Sequence, residues 1–167
     1  RIISPGTVLE SALLPDSQSN YLATVFPSGN DWGFCYTDIS TGEFKVTEFI
    51  GKDAADKNRI FDEIYRVQPK ELLLGDKLAK DVQFRQCLKK VFEGLVTLIP
   101  EEDFSKQGTD QVLAEHFNLN DSEELFLSEQ AKRAAGATLS FLYRTQKRGL
   151  SYIGKISYYK NDRYMIL

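Results

Sequence analysis

Gly149-Leu150-Ser151-Tyr152-Ile153-Gly154-Lys155-Ile156 sets two glycines and a lysine at the spacing of a phosphate-binding loop. In such a loop backbone amides cradle the phosphates and the lysine reaches the outer ones. The residue after the lysine should bring a hydroxyl to magnesium, and Ile156 has none. The loop should also lead from a strand into a helix whose N-terminal amides meet the anion. Here it follows a long helical pattern and runs into β-type sequence, so it reads as a lookalike.

The other reactive side chains are sparse. His116 is the only histidine. Without a second histidine or a nearby cysteine pair it makes no usual zinc site, and without a nucleophile beside it no catalytic triad. It reads as a helix-surface or interface residue. Asp38 stands beside the Ser40-Thr41-Gly42 turn, where its expected work is accepting hydrogen bonds from turn amides. Asp62 and Glu63 are adjacent acids on a helical pattern and read as a solvated face. Trp32, Phe34 and Tyr36 share one strand face, and core packing is favoured over a base-stacking platform. Cys35 and Cys87 are read as reduced core thiols in a cytosolic setting.

These residues need elements to hold them. Tyr21–Phe26 is β-branched and aromatic, and Pro27–Asp31 has turn chemistry. Trp32–Asp38 makes a second strand. After Ser40–Gly42, Phe44 and Val46 alternate with Glu43, Lys45 and Thr47, the period-two mark of a third strand with one wet face. Loops this short join antiparallel neighbours.

Asp53 can start a helix carrying Ile60, Ile64 and Val67 on one face, with Phe61 and Tyr65 beside them, ended by Gln68-Pro69. Glu71–Leu74, closed by Gly75, reads as a strand buried on both faces. Leu78, Val82, Leu88, Val91 and Phe92 suggest a less regular helix, Leu95–Ile99 a fifth strand, and Thr109–Phe117 a short helix.

Residues Leu125–Lys147 carry the strongest helical period: Leu127, Ala131, Ala134, Thr138 and Leu142 line one stripe. Within it, Gly136 among alanines costs about 1 kcal/mol relative to alanine and suits the close approach of another backbone. Leu9–Asn20 reads as a surface loop. Past Gly149 the tail turns β-like, with a turn signal at Asn161-Asp162, as in a hairpin. Three antiparallel strands followed by two reached through helices give the expected fold class: α/β, a ribonuclease-H-like mixed five-stranded sheet flanked by helices.

The balance of charge narrows the function classes. The chain has 167 residues, with 21 basic and 24 acidic side chains evenly mixed and a formal net charge of -3. A module that grips a phosphate backbone alone concentrates positive charge, so stand-alone DNA binding is disfavoured. Metal-dependent nucleases of ribonuclease-H architecture root carboxylates on the first strand, and Tyr21–Phe26 holds no acid. No apolar run reaches the ~20 residues needed to cross a bilayer. Both ends look cut, so a piece of a longer protein is expected.

Taken in order, Arg1–Thr7, Asn20–Ala23, Asp38–Phe44, Gln68–Leu73, and Ala134–Ala137 with Tyr143–Lys147 resemble the connector domain of the MutS family of DNA mismatch-repair proteins. The resemblance covers nearly the whole chain. It implies a ribonuclease-H-like block without nuclease activity, placed between a mismatch-recognition domain and an ATPase body. Residues 1–7 would be the junction from the preceding domain, 8–150 the connector, and 151–167 the opening hairpin of the following core and lever domain.

Ser4, Pro5, Gly6 and Gly149 would then be the joints. The resemblance further implies no catalytic, cofactor or metal residues in this chain, with ATP and magnesium held elsewhere in the full-length parent. Its implied partners are neighbouring domains of the same chain, a second copy of the parent as homodimer, mismatched duplex DNA through the whole protein, and MutL. MutL would dock on a surface that includes Gln107–His116, with Gln111 and Glu115 as contacts. A cytoplasmic location is expected from the two reduced thiols and the lack of a visible targeting segment.

Overall fold

The computed structural model describes residues 20–52, 56, 58–119 and 127–160. Its sheet begins with a meander of β1 (Tyr21–Ser28), β2 (Asp31–Asp38) and β3 (Glu43–Phe49). The strands pair antiparallel, with Thr24 opposite Cys35 and Cys35 opposite Val46. Asp38 holds the second turn as expected: its Oδ1 accepts from the Ser40 amide at 2.9 Å and the Ser40 hydroxyl at 2.6 Å.

Helix α1 (Arg59–Val67) leads to β4 (Glu71–Gly75), which lies parallel to β1. Helices α2 (Asp76–Ala79) and α3 (Val82–Val91) then lead to β5 (Leu95–Ile99), parallel to β4. A 3-10 turn (Glu101–Phe104), α4 (Lys106–His116) and α5 (Glu129–Thr145) follow. Among the described residues the sheet has six strands rather than five, in the order β5-β4-β1-β2-β3-β6. The extra strand β6 is Ser157–Tyr158, drawn from the stretch expected to open a separate hairpin, and it runs parallel to β3. Residues 161–167, the rest of that expected hairpin, lie outside the described residues, as does the loop expected over 9–19.

Period-two alternation sorts the sheet's side chains into two cores. Leu22, Cys35, Phe44, Val46 and Leu73 face α4 and α5, whereas Ala23, Val25, Phe34, Tyr36, Leu72 and Leu74 face α1, α2 and α3. Leu72, Leu73 and Leu74 are buried on both faces of the sheet, each contributing roughly 1.5–3 kcal/mol. Trp32, Phe34 and Tyr36 belong to the second core, where Trp32 packs on Phe84 at 5.7 Å between ring centroids.

Because helices cover both faces, β3 is drier than its alternation implies, and Thr47 is wholly buried. Asp53, expected at the start of the α1 helix, lies outside the described residues; the helix as described runs from Arg59. Two further expectations need correction. The stretch from Leu78 to Phe92 breaks into two helices, because Asp81 caps a fresh start by accepting from the Phe84 amide at 3.0 Å. Val82 consequently points to solvent at 63% exposure. Finally, Glu63 is not on a solvated face: Asp62 is exposed, but Glu63 is fully buried.

Candidate partner-docking face

Helix α4 starts at Ser105, whose hydroxyl oxygen accepts from the Gly108 amide at 3.2 Å. Thr109 and Leu113, one turn apart, are buried against α5. The approach is closer than side chains usually permit. A Cβ on Gly136 would stand 2.5 Å from Thr109 Cβ, so the small-residue patch of α5 does receive another backbone.

With Thr109 and Leu113 turned inward, Gln111 and Glu115 come out together on the exposed face, joined by a 3.2 Å hydrogen bond from Gln111 Nε2 to Glu115 Oε2. Beside them a cleft of about 500 Å³ is bounded by Val112, Glu115, His116, Tyr143 and Arg144. Arg144 reaches Asp103 at 2.7 Å on its floor.

His116 does more than sit on a helix surface. Its Nε2 lies 2.8 Å from the carbonyl oxygen of Ile153, which can only accept, so Nε2 carries a proton. In the neutral ring Nδ1 then accepts from the Tyr143 hydroxyl at 2.5 Å. One imidazole therefore ties together α4, α5 and the chain beyond α5.

Other candidate residues are placed as follows. Ser4, Pro5 and Gly6 lie outside the described residues. Gly149 is exposed after α5, with open space where a Cβ would be. The phosphate-loop lookalike lacks the required context: among the described residues no helix follows Lys155, and the chain runs into β6. Cys35 and Cys87 are free thiols. Burial pushes the Cys35 thiol up to about 12, only partly opposed by a hydrogen bond with Thr138, which removes it as a nucleophile near neutral pH. Among the described residues no three His, Cys, Asp or Glu side chains are grouped to hold a metal ion, and no helix is long and apolar enough to cross a membrane.

Sequence reasoning missed a buried polar cluster on the opposite face. Glu63 forms a two-pronged pair with Arg66, Nε to Oε1 at 3.0 Å and a second contact through the other nitrogen and oxygen. The Tyr159 hydroxyl donates to Glu63 Oε2 at 2.6 Å. Arg66 three residues after Glu63 was the available signal, since that spacing pairs charges on a helix.

Residues 20–156, nearly all of the sheet and every helix named above, match the family model described as MutS domain II. The chain belongs to that family. Relatives similar to it include the DNA mismatch repair protein MutS of Halothermothrix orenii, 36% identical over 169 residues, and that of Ruminiclostridium cellulolyticum, 32% identical over 169 residues. The MutS of Pelotomaculum thermopropionicum is 35% identical over 173 residues. Each alignment takes in 100% of this chain but only 18–19% of the relative, so the chain spans about a fifth of the length of these relatives. The MutS domain II match ends at Ile156, immediately before β6.

Proposed function

We propose that this chain is the non-catalytic connector of a MutS-type mismatch-repair protein, a sheet-and-helix block that carries motion between a mismatch-reading domain and an ATP-driven body. The match to MutS domain II over residues 20–156 carries this reading. The packing supports it: helices cover both faces of one sheet, and a dry interior moves as a unit better than it bends. The strand order, an antiparallel meander followed by two parallel strands, supports a ribonuclease-H-like ancestry for the fold. Catalysis by that ancestor's metal carboxylates has no basis here, because β1 carries no acid.

In this reading the parent protein binds mismatched duplex DNA as a homodimer and uses ATP and magnesium outside this chain, in the cytoplasm. Residues 1–7 and the region of Gly149 are its joints, with the following domain beginning near Ser151. The outward face of α4, with Gln111 and Glu115, is offered to MutL.

The test is Gln111→Lys with Glu115→Lys in the full-length parent, assayed for MutL capture on a mismatched duplex with ATP present. Capture is expected to fall, while the stability of the 167-residue chain stays within about 0.5 kcal/mol, as for most surface changes. Unaltered capture would remove this face from the reading.

A further inference from the structure

After α5 the chain crosses from one face of the sheet to the other around the β3 edge. Its first half is anchored in the core shared with α4 and α5. Leu150 and Ile153 are 4% and 1% exposed, His116 holds the Ile153 carbonyl, and Arg148 donates to the Ile39 carbonyl at 2.7 Å. Gly42, at φ 86°, lets the chain pass close by: a Cβ there would stand 2.4 Å from the Tyr152 carbonyl oxygen. Gly154 and Lys155 are exposed, and nothing packs where a Gly154 Cβ would be.

The second half is held differently. Strand β6 pairs with β3 at only two positions, Ser157 with Lys45 and Tyr158 with Val46, and Tyr158 is 42% exposed. Two-residue strands are marginal by themselves. The Tyr158 hydroxyl donates to Glu48 Oε2 at 2.6 Å at the surface, and the next residue goes deeper. Tyr159 sends its amide to the Val46 carbonyl at 3.1 Å and enters the opposite core, its ring edge-on to Tyr36 at 5.6 Å and its hydroxyl on the buried Glu63.

Withdrawing that ring would be prohibitive if it left Glu63 an orphaned buried charge. Arg66 serves Glu63 as well, however. Arg66, itself 45% exposed at its side chain, grips both carboxylate oxygens from the same helix and stays when Tyr159 leaves. The open state therefore gives up the Tyr159 hydroxyl and amide hydrogen bonds, the Tyr158 hydroxyl's bond to Glu48 and the ring's contact with Arg66 at 5.8 Å, while the ion pair survives and water can fill the vacated place.

We infer that residues 157–160 form a releasable strap whose pin is Tyr159 in the Glu63–Arg66 socket, so that the segment after α5 reports its position to α1. The inference goes beyond the connector reading and does not depend on MutL docking or on any property of the parent protein.

Amide hydrogen exchange on the 167-residue chain tests it. In the unaltered chain the Tyr159 amide is expected to exchange slower than an unstructured amide, yet faster than Leu73 in β4 and independently of low denaturant, the mark of local opening. Tyr159→Phe keeps the ring and removes the donor to a charged acceptor. It should speed exchange at residue 159 by about tenfold, with Leu73 and Phe34 unchanged. Tyr159→Ala should speed it further, again without moving Leu73. The strap is refuted if the residue 159 amide is unprotected from the start, if it exchanges only together with Leu73, or if Tyr159→Phe leaves it unaltered.

Discussion

Glu63 shows how residue type and position can disagree. Ile60, Glu63, Ile64 and Val67 fall at i, i+3, i+4 and i+7, so spacing alone puts the acid on the buried stripe; its charge argued for solvent, and position won because Arg66 and Tyr159 satisfy both oxygens. Breaking a buried pair leaves its partner uncompensated at about 3–5 kcal/mol. Glu63→Ala should fall at the low end, because the half-exposed Arg66 can rehydrate, whereas Asp62→Ala should change stability by less than about 0.5 kcal/mol. Urea unfolding of the two variants side by side checks the contrast. Gly136 is a residue at which a single atom matters. Gly136→Ala must push α4 away from α5 at Thr109, an overpacking expected to cost about 1–3 kcal/mol, read as a lower denaturation midpoint with an unchanged slope.

Among the elements, those with a strong period were legible from residue order, and those defined by what they lean on were not. The meander, the triple-leucine β4 and the long α5 each carry a pattern that only one environment satisfies. Gln111 and Glu115 were singled out through the family resemblance alone, and the hydrogen bond between them follows from a four-residue step on a helix. Strand β6 has two residues and no period to read, so only the neighbouring β3 reveals it. Strand β5 matched expectation in kind but not in setting. Leu95, Val96 and Leu98 are 61%, 39% and 54% exposed at the end of the strand order, and an unpaired apolar edge invites pairing with another chain. Leu95→Lys with Leu98→Lys should leave stability within about 0.5 kcal/mol and reduce self-association in sedimentation velocity at high concentration. Equal sedimentation of variant and parent chains would count against an adhesive edge.

At the scale of the whole molecule, several protons are held more tightly folded than unfolded. Burial, aided by a hydrogen bond to Glu43, pushes the Tyr21 phenol up to about 12. Burial, and then Glu63, raises Tyr159 as well, and burial raises Cys35. The unfolded chain releases these protons first, the thiol near pH 9 and the phenols near 10. The folded state keeps them to higher pH. Stability from this source is therefore complete below about pH 9 and is lost as pH climbs toward 12. Unfolding free energies at pH 8, 10 and 11 should decline in that order, and Tyr21→Phe should flatten part of the decline.

The two margins of the sheet are unlike in extent: among the described residues one side ends in the two-residue β6, the other in the five-residue β5 with its exposed leucines and valine. A body with one long apolar flank can satisfy it against the same flank of a twin, related by a twofold axis. Clustering through this margin would stop at pairs, and fibrils would require the short β6 margin to take a partner as well.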